Sequence, residues 1–525
     1  MNTEPDYTPK SWLAIAALIV VLVGVSLIPP QIVGGIALRR ASIFSDLIHF
    51  DDAPAQTSSQ VVLDEAEFHV DMAEVTEQIV ADSLPSVVQT TFAWQIGEPM
   101  ERVFVRPDSL RFANVPREGV TPIEDFDTTG NGLLQALYAK LYDGESVRIA
   151  VLGDSFIEGD ILTADLRERL QEVYGGTGAG FAPMASPLTG FRRTVKTQSK
   201  GWSSYNIMQY RTTPQTLRDE FYVSGWVCQA ETGAQTRWAC SDTRKHLNPC
   251  QGARVLFVSR GDSRAEVTVN DTLRRMFTIE GDPALRQIEV SGGAIHSLTF
   301  RVAEGAAGVV GYGALLDGGG VGVGVDNYSI RSNNGQAMFR TSPTVNTQAN
   351  AMLNYDLVVL QYGLNIMQQG IHNYANYAAQ IEKMIVYVRE CFPTAAILVL
   401  GVSDRSVRTA EGFAPMDAVP YMIQYQRGAA QRNGAAFWNT AAAMRAMGGM
   451  AQFVTNGWAG KDYTHINYAG GRRVAYALSD ALNDGVQRAA KRRMTEEIHK
   501  EMTRGIGDSM QRHIHNELFI PTIIK

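Results

Sequence analysis

One stretch, Val147 to Asp160, constrains the fold of this chain more than any other, and it reads VRIAVLGDSFIEGD. Val147 to Leu152 is a short, mainly apolar and β-branched run, which is typical of a buried strand. Gly153-Asp154-Ser155 interrupts the run, and Asp165 to Val173 then shows helical spacing. This order predicts that Ser155 lies at the carboxyl end of a strand, where open α/β sheets hold their sites.

The Gly-Asp-Ser tripeptide does not identify a site by itself, because Gly261-Asp262-Ser263 repeats it. The two copies differ in the segments on their C-terminal side. Ser263 leads into AEVTVN, whose alternation of apolar and polar residues predicts a strand rather than a helix. We therefore predict that Ser155 holds the functional position and that Ser263 lies in a loop of a β-rich region.

Length and composition limit the classes of function. At 525 residues the chain is long enough for two or three domains, each with its own core. A formal net charge of -7 gives no basic surface for nucleic acid, so we exclude a nucleic-acid partner. The four cysteines show no CxxC spacing for zinc. In an oxidising compartment, one disulfide among Cys228, Cys240 and Cys250 is chemically allowed, for example between Cys240 and Cys250, whereas Cys391 stands apart.

The N-terminal segment Ser11 to Leu38 carries no charge over 28 residues, and its core, Trp12 to Ile28, is almost entirely Ala, Ile, Leu and Val. This length is sufficient to span a bilayer. A cleaved signal peptide would have a shorter apolar core, a more basic start and a clearer cleavage site. We therefore predict that residues 1–40 form an uncleaved membrane anchor with one transmembrane helix.

Two parts of the chain alternate strand and helix patterns. Residues 131–198 contain the strand before Ser155 and its helix, and residues 325–484 alternate buried-type strands such as Ala396 to Leu400 with helical segments. This alternation predicts a parallel sheet that is covered on both faces. Between the two parts, residues 199–324 form short alternating runs at even spacing, which predicts an inserted β-sandwich domain.

The other segments have a more mixed composition. Residues 41–130 are acidic, with Pro, Ser and Thr between short apolar pieces, which indicates a stalk and a packing segment. The glycine-rich loop at residues 175–180 comes after a helix and lacks the Lys-Ser/Thr of a phosphate-binding loop, so we predict a mobile loop near the mouth of the site. Residues 485–525 form a charged tail with helical propensity.

A serine becomes a nucleophile only when a base takes its proton, and the base needs an acceptor that fixes its tautomer. Among the nine histidines, His49 and His465 are the two that lie three residues after an aspartate. His49, with Asp46, lies beside the predicted membrane span, so we assign it to the stalk. His465 lies after the last predicted strand region, and Asp462 is placed to accept from its Nδ1 while Nε2 faces Ser155.

Taken in order, these blocks resemble the SGNH or GDSL hydrolases. The segments GDSFIEGD, VVLQYGLN and AGKDYTH carry the resemblance, which extends from Asn131 to about Asn483 with the inserted domain as an interruption. It implies a flavodoxin-like, three-layer α/β sandwich. It also implies that Ser155 is the nucleophile, His465 the base and Asp462 the carboxylate that orients the base.

The resemblance further implies an oxyanion hole, a set of donors aimed at the charge that develops on the acyl oxygen. Its members would be the backbone N–H of Ser155, the block that contains Gly363 and the Asn365 amide, and a residue of a second block. That residue is normally a glycine, whereas this chain has Ser332, with Gly335 three residues later. Backbone donation survives this change if φ of Ser332 is negative. The adjacent asparagines are alternative donors.

More closely, the same segments are similar to extracytoplasmic SGNH proteins of bacterial envelopes that act on O-acetylated glycans. This similarity implies chemistry without a metal ion or an organic cofactor, on an acylated polysaccharide or on peptidoglycan. It leaves three hypotheses: an esterase that removes acyl groups, an O-acetyltransferase that works beside a membrane-bound O-acyltransferase, and a glycan-binding protein without activity. An acyl-enzyme on Ser155 serves the first two, because water or a sugar hydroxyl can accept the acyl group.

The resemblance and the charge pattern disagree about the side of the membrane. Arg39 and Arg40 come after the span while Lys10 precedes it, so a positive-inside count would leave the main domain in the cytoplasm. Large domains are translocated largely regardless of such small differences. We give the resemblance more weight and predict a single-pass protein of the bacterial inner membrane whose catalytic domain faces the periplasm or the exterior.

Overall fold

The structure is a computed structural model that describes residues 32–33, 36–37, 72–82, 88–98, 119–128, 130 and 132–517. The chain forms two units, residues 1–58 and 59–525. The strands are β1 (Ile32–Val33), β2 (Ile36–Ala37), β3 (Thr91–Gln95), β4 (Val147–Gly153), β5 (Gly180–Pro183), β6 (Val195–Asn206), β7 (Trp226–Cys240), β8 (Cys250–Ser259), β9 (Ser263–Val269), β10 (Leu273–Ile279), β11 (Asp282–Ile295), β12 (Ser297–Glu304), β13 (Val309–Asp317), β14 (Val323–Ser329), β15 (Leu357–Gln361), β16 (Ala396–Leu400), β17 (Ser406–Thr409), β18 (Gly412–Pro415) and β19 (Ala436–Trp438). The helices are α1 (Met72–Asp82), α2 (Leu133–Asp143), α3 (Thr163–Tyr174), α4 (Pro343–Leu353), α5 (Ala375–Cys391), α6 (Ala418–Arg432), α7 (Thr440–Ala446), α8 (Gly449–Thr455) and α9 (Tyr468–Glu517).

Five strands of the second unit form a parallel sheet in the order β14-β4-β15-β16-β19. When these strands are numbered by their own chain order, the order is the 2-1-3-4-5 of flavodoxin-like folds. Every residue of β4, β15 and β16 is buried, as expected for parallel strands that are covered on both faces. The predicted α/β class is therefore confirmed.

Two groups of helices pack around this sheet. α9 contacts α2 and α3, while α5 contacts α1, α4 and α6. One hydrophobic core contains side chains of the sheet and of both groups, such as Val151, Leu170 and Ile385. The result is a three-layer arrangement in which all strand carboxyl ends lie at one edge of the sheet.

Ten further strands of the second unit form a sheet with the main path β10-β9-β12-β7-β13-β8-β11-β3, and β5 and β6 are added on β13 and β7. Along one edge of β7, residues 228–229 pair with β13 and residues 235–239 pair with β12. The sheet therefore folds into two layers, which enclose a second core with Trp238, Phe257 and Phe300. Cys228, Cys240 and Cys250 belong to this core, and all four cysteines of the chain are free thiols.

This second sheet contains the strands predicted within residues 199–324 and recruits others from outside that range. β5 and the first residues of β6 precede residue 199, and β3 comes from the predicted stalk, where it pairs in parallel with β11. Their addition covers backbone groups of β13, β7 and β11 that would otherwise form exposed sheet edges. Glu124 also forms a bridge with Phe437, so described parts of the predicted stalk and packing segment belong to the second unit.

The predicted anchor and the predicted tail differ in how much of them the structure describes. The core of the anchor, Trp12 to Ile28, and the motif that ends at His49 lie outside the described residues. Among the residues that are described, no helix is long and apolar enough to cross a bilayer. The tail continues α9, which extends to Glu517, and the side chains of residues 491–504 are exposed.

The glycine-rich loop at residues 175–180 lies elsewhere than predicted. A Cβ at Gly176 would lie 2.6 Å from the carbonyl oxygen of Val323, and one at Gly178 would lie 2.2 Å from that of Leu316. Val323 is the first residue of β14, so the loop packs against the amino end of the parallel sheet. The prediction of a mobile loop near the mouth of the site is therefore wrong. The glycines instead allow the backbone of the loop to approach the backbones of Val323 and Leu316 closely.

Candidate active site

Three of the predicted blocks come directly after neighbouring strands of the parallel sheet. Gly153, the last residue of β4, is paired with Ser329 of β14 and with Gln361 of β15. The segment after β4 holds Ser155. The segment after β14 holds the second block, with Ser332, and the segment after β15 holds the third block, with Gly363 and Asn365. Because the strands are parallel and in register, the three segments start from the same edge of the sheet.

The loop after β4 holds Ser155 in a tight turn. A Cβ at Gly153 would lie 2.8 Å from Oε1 of Gln361, so glycine is needed for the close approach. The N–H of Phe156 donates a hydrogen bond of 2.9 Å to Oδ1 of Asp154. Ser155 is half-buried, and neither its hydroxyl nor its N–H has a hydrogen-bond partner among the described residues. Both groups are therefore available to a substrate.

Asp154 is fully buried at the base of this turn. Burial raises the pKa of its carboxyl group to about 7, although the Phe156 N–H and the charge of His465 act in the opposite direction. The carboxyl group of Asp154 therefore changes its protonation near neutral pH.

The Asn365 side chain joins the first and third blocks. Its Nδ2 donates to Oδ2 of Asp154 and to the carbonyl oxygen of Asn333, both at 3.0 Å. An amide nitrogen carries two protons, so both are already engaged. The predicted donation from Asn365 to an oxyanion therefore requires that one of these two bonds be exchanged for the new one.

Ser332 occupies the turn where the resemblance expects glycine, and its φ is +61°. The N–H of Asn333 donates to the carbonyl oxygen of Ile330 at 3.3 Å, which closes a four-residue turn. Arg331 has negative φ, so the turn is of type II. The condition of a negative φ at Ser332 is therefore not met. The left-handed region costs a residue with a side chain about 1–2 kcal/mol.

Despite this correction, the N–H of Ser332 remains suitable as a donor, because no acceptor among the described residues takes a hydrogen bond from it. The N–H of Gly363 in the third block also has no acceptor among the described residues, and the φ of Gly363 is +115°. A Cβ there would lie 2.9 Å from Nε2 of Gln426 and from Cγ1 of Val402. Only glycine fits this position without displacing its neighbours.

Asp462 and His465 form a short, strongly bonded turn. Nδ1 of His465 lies 2.6 Å from Oδ2 of Asp462, and the backbone N–H groups of Thr464 and His465 donate to Oδ1 at 3.1 Å each. Partial burial opposes the charge of Asp462, but these hydrogen bonds outweigh it and lower the pKa of the carboxyl group below its ordinary value. The pair fixes the ring of His465 with Nε2 unbonded among the described residues.

The start of α9 connects this turn to the loop that follows Ser155. The hydroxyl of Tyr468 shares its one proton between the carbonyl oxygens of Gly159, at 3.0 Å, and Phe191, at 2.6 Å. Gly159 lies four residues after Ser155, and Tyr468 lies three residues after His465. Within the described residues, no hydrogen bond joins the Ser155 hydroxyl to His465. The structure thus brings the two segments together without closing that bond, a common state of sites without substrate.

A stacked pair of aromatic rings supports the Asp462–His465 turn from the other side. The ring of Phe413 in β18 stacks on Tyr463 with ring centroids 3.7 Å apart and an angle of 11° between the planes. The N–H of Ser406 in β17 donates to the carbonyl oxygen of Tyr463 at 3.1 Å. Sequence reasoning missed this support, because no periodicity links residues so far apart in the chain.

Charged side chains at this edge are arranged as pairs. Glu158 binds Arg331 through both carboxylate oxygens, with Nε–Oε1 and Nε–Oε2 distances of 3.2 and 3.0 Å. Asp462 binds His465 through Nδ1. In the part of the chain that the structure describes, no group of three or more His, Cys, Asp and Glu side chains is placed to hold a metal ion.

Comparison with known proteins adds information on the fold. No model of a protein family matches the chain, and no curated protein sequence matches it. Among solved structures, a peptidoglycan O-acetylesterase is similar with a TM-score of 0.56 and 22% identity, over 70% of this chain and 99% of that one. A family two carbohydrate esterase from Clostridium thermocellum has a TM-score of 0.21 and 14% identity, over 50% and 94% of the two chains.

A likeness at this level of identity concerns the fold rather than the activity. The solved peptidoglycan O-acetylesterase is matched over almost its whole length, and the strand order found here is the one that the sequence blocks imply. The resemblance to the SGNH hydrolases is therefore confirmed at the level of the fold, which this chain shares with a peptidoglycan O-acetylesterase.

Proposed function

We propose that this protein is a serine esterase of the SGNH type that removes O-acetyl groups from a glycan. The observation that carries the proposal is the placement, near one sheet edge, of a serine with an unbonded hydroxyl and of an Asp462–His465 pair with a 2.6 Å bond. The fold shared with a peptidoglycan O-acetylesterase supports an O-acetylated glycan, such as peptidoglycan or another polysaccharide, as the substrate.

In the first step, Oγ of Ser155 attacks the carbonyl carbon of the acetyl ester and its proton passes to Nε2 of His465. Asp462 accepts from Nδ1 and stabilises the imidazolium that forms. The electron pair of the carbonyl bond moves to the oxygen. We infer that this charge is stabilised by the N–H groups of Ser155, Ser332 and Gly363, which have no acceptor among the described residues.

In the second step, the bond between the acetyl carbon and the sugar oxygen breaks, and the sugar oxygen takes the proton from His465. The acetyl group remains as an ester on Ser155. Water then attacks this ester while His465 takes a proton from the water; the bond between the acetyl carbon and Oγ breaks, His465 returns the proton to Oγ, and acetate leaves. An acceptor sugar hydroxyl in place of water would give the transferase alternative with the same residues.

Asn365 takes part by exchange. The developing oxyanion is a stronger acceptor than the neutral carbonyl of Asn333, so it competes for the second proton of Nδ2 while the bond to Asp154 is kept. The amide would then contribute more to the transition state than to the bound substrate, which is the condition for an increase in rate.

The test uses the full-length protein in detergent with an aryl acetate and with an O-acetylated glycan. We expect release of acetate from both. Acetyl transfer to a sugar acceptor, without free acetate, would favour the O-acetyltransferase, which would work with a membrane-bound O-acyltransferase. Binding of the glycan without loss of acetyl groups would favour the non-catalytic alternative and contradict the proposal.

We also propose that the segment Ser11 to Leu38 anchors the protein in the bacterial inner membrane and that the second unit faces the periplasm or the exterior. A glycan of the envelope is then within reach of a tethered site. Protease added to intact spheroplasts should digest the second unit. Protection of that unit would contradict the location and leave the chemistry of Ser155 unaffected.

A further inference from the structure

The orientation of the Ser332 N–H depends on the type of the turn that contains it. Type I and type II turns differ mainly by a flip of the central peptide, which here joins Arg331 to Ser332. In the type II turn of this chain the N–H has no acceptor among the described residues. The flip to type I would point the same N–H to the opposite side, so a single peptide decides whether this donor serves the site.

The sequence of the turn does not favour the observed orientation. Type II turns require a positive φ at their third residue and therefore prefer glycine there. Ser332 has this positive φ of +61° although it carries a side chain. Without other contacts, the intrinsic preference of serine would shift the turn toward type I. Something outside the turn must therefore hold the central peptide.

The contacts of Arg331 provide such a hold. Its guanidinium binds the carboxylate of Glu158 through three contacts, of 3.2 and 3.0 Å from Nε and 2.5 Å from Nη2. The Glu158 side chain is 9% exposed, whereas that of Arg331 is 60% exposed. The buried carboxylate therefore restrains the exposed arginine side chain. The carbonyl group of the same arginine belongs to the central peptide of the turn.

Glu158 is itself part of the nucleophile turn. Its N–H donates to the carbonyl oxygen of Ser155 at 3.4 Å. The N–H of Ile330, the first residue of the type II turn, donates to the carbonyl oxygen of Gly153 at 2.9 Å. The two turns are therefore joined by one backbone bond and one ion pair, on either side of the peptide that carries the Ser332 N–H.

We propose that the Glu158–Arg331 ion pair is a positioning device that holds the Ser332 N–H toward the oxyanion and so compensates for the missing glycine. This inference rests on the esterase function proposed above. Neither residue touches the reacting atoms. Their effect passes through the peptide between Arg331 and Ser332, which is why exchange of Ser332 for glycine is expected to make the pair dispensable.

The test measures kcat and KM of the full-length protein for an aryl acetate in four forms: wild type, Glu158→Gln, Ser332→Gly and the double variant. Loss of a complete oxyanion donor lowers kcat about 100- to 1,000-fold; partial misorientation by Glu158→Gln should lower it about tenfold, with KM nearly unchanged. In the double variant, kcat should return to within about twofold of the Ser332→Gly value, because glycine adopts the positive φ without support.

A matched control is available in the second sheet. Glu304 forms an ion pair of 2.8 Å with Arg264, and both side chains are exposed. Glu304→Gln removes a charge in the same way, at a distance from the site, and should leave kcat unchanged. Thermal unfolding of each variant reports whether it is folded. Arg331→Gln, at the more exposed partner, repeats the test if Glu158→Gln is unstable.

Two results would overturn the inference while the wild type is active: an unchanged kcat in Glu158→Gln, or a loss that Ser332→Gly does not restore. The second result would mean that Glu158 supports the nucleophile turn alone. A wild type that hydrolyses neither the aryl acetate nor the acetylated glycan would overturn the esterase proposal and this inference with it. The two failures are therefore distinguishable.

Discussion

The chain contains the tripeptide Gly-Asp-Ser twice, and the two copies have opposite surroundings. In the first, Asp154 is fully buried and Ser155 has a hydroxyl without a partner among the described residues. In the second, Asp262 is exposed and accepts from the N–H of Gly281 at 2.8 Å. There the buried Ser263 hydroxyl lies 2.7 Å from that of Ser259.

Under the proposed mechanism, the difference separates a serine that reacts from a serine that stabilises the fold. A buried hydroxyl that is hydrogen-bonded contributes to stability, and it is not free to form a hydrogen bond with a base. A hydroxyl without a protein partner contributes little to stability and is available to a base. Identical tripeptides thus acquire different roles from the strand order around them, and each role makes its own prediction.

The largest expected effect is the loss of activity in Ser155→Ala. If Ser155 is the nucleophile, kcat for the aryl acetate should fall about 10⁶-fold, the loss that follows removal of the serine or the histidine of a catalytic triad. Ser263→Ala is the matched control, and its kcat should equal that of the wild type. Initial rates of acetate release measure both. Comparable activity of Ser155→Ala and wild type would remove the first copy from the mechanism.

The next effects concern the proposed base, His465, and the carboxylate proposed to orient it, Asp462. His465→Ala should reduce kcat nearly as much as Ser155→Ala, while Asp462→Asn should reduce it about 10⁴-fold, since it removes orientation and not the proton acceptor. A second exposed pair, His372 Nε2 with Asp417 Oδ2 at 2.9 Å, is the control: His372→Ala should keep full activity. A severe loss in His372→Ala would mean that the wrong histidine has been assigned.

The sequence predicts the parts of the fold that depend on local patterns. Buried runs such as Val147 to Leu152 appear as strands, and the spacing of three residues between Asp462 and His465 suits the bond that forms. Ser155 differs from Ser263 in sequence because the segments after them differ in period. These features need information from only a few neighbouring residues.

The features that the sequence did not predict depend on distant contacts. β3, with the sequence TFAWQ, pairs with a strand that lies far along the chain, Gln287 being the partner of Thr91, and it stands in a segment whose composition resembles that of a linker. The positive φ of Ser332 contradicts the local preference of serine and is held from outside the turn. The engaged amide of Asn365 depends on the position of the Asn333 carbonyl. In each case a tertiary contact outweighs the local tendency.

The aspartates of the two copies should differ in how they couple stability to pH. Burial raises the pKa of Asp154 to about 7 in the folded state, against about 3.9 when unfolded. Between these two pH values the folded protein binds more protons than the unfolded protein. The stabilising contribution of Asp154 is therefore complete below pH about 4 and is lost as the pH rises through about 7. Asp154→Asn should remove this decline, whereas Asp262→Asn should keep it.

Urea unfolding at pH 5 and pH 8 measures the decline in each protein. The comparison uses the change between the two pH values, so a constant cost of the substitution cancels. Parallel profiles for wild type and Asp154→Asn would show that Asp154 does not titrate in this range. The pKa of Asp154 would then not distinguish the first Gly-Asp-Ser copy from the second.

The smallest expected effect is on the free energy of unfolding. Here Ser263→Ala should have the larger effect, whereas Ser155→Ala has the larger effect on activity. Ser263→Ala removes the partner of the Ser259 hydroxyl, which keeps its 2.8 Å bond to the carbonyl oxygen of Gly261. One lost hydrogen bond should lower the free energy of unfolding by about 1 kcal/mol. Ser155→Ala should lower it by less, because no described residue loses a partner. Urea titrations of both variants at one pH measure the difference, and a larger loss in Ser155→Ala would show that its hydroxyl is structural after all.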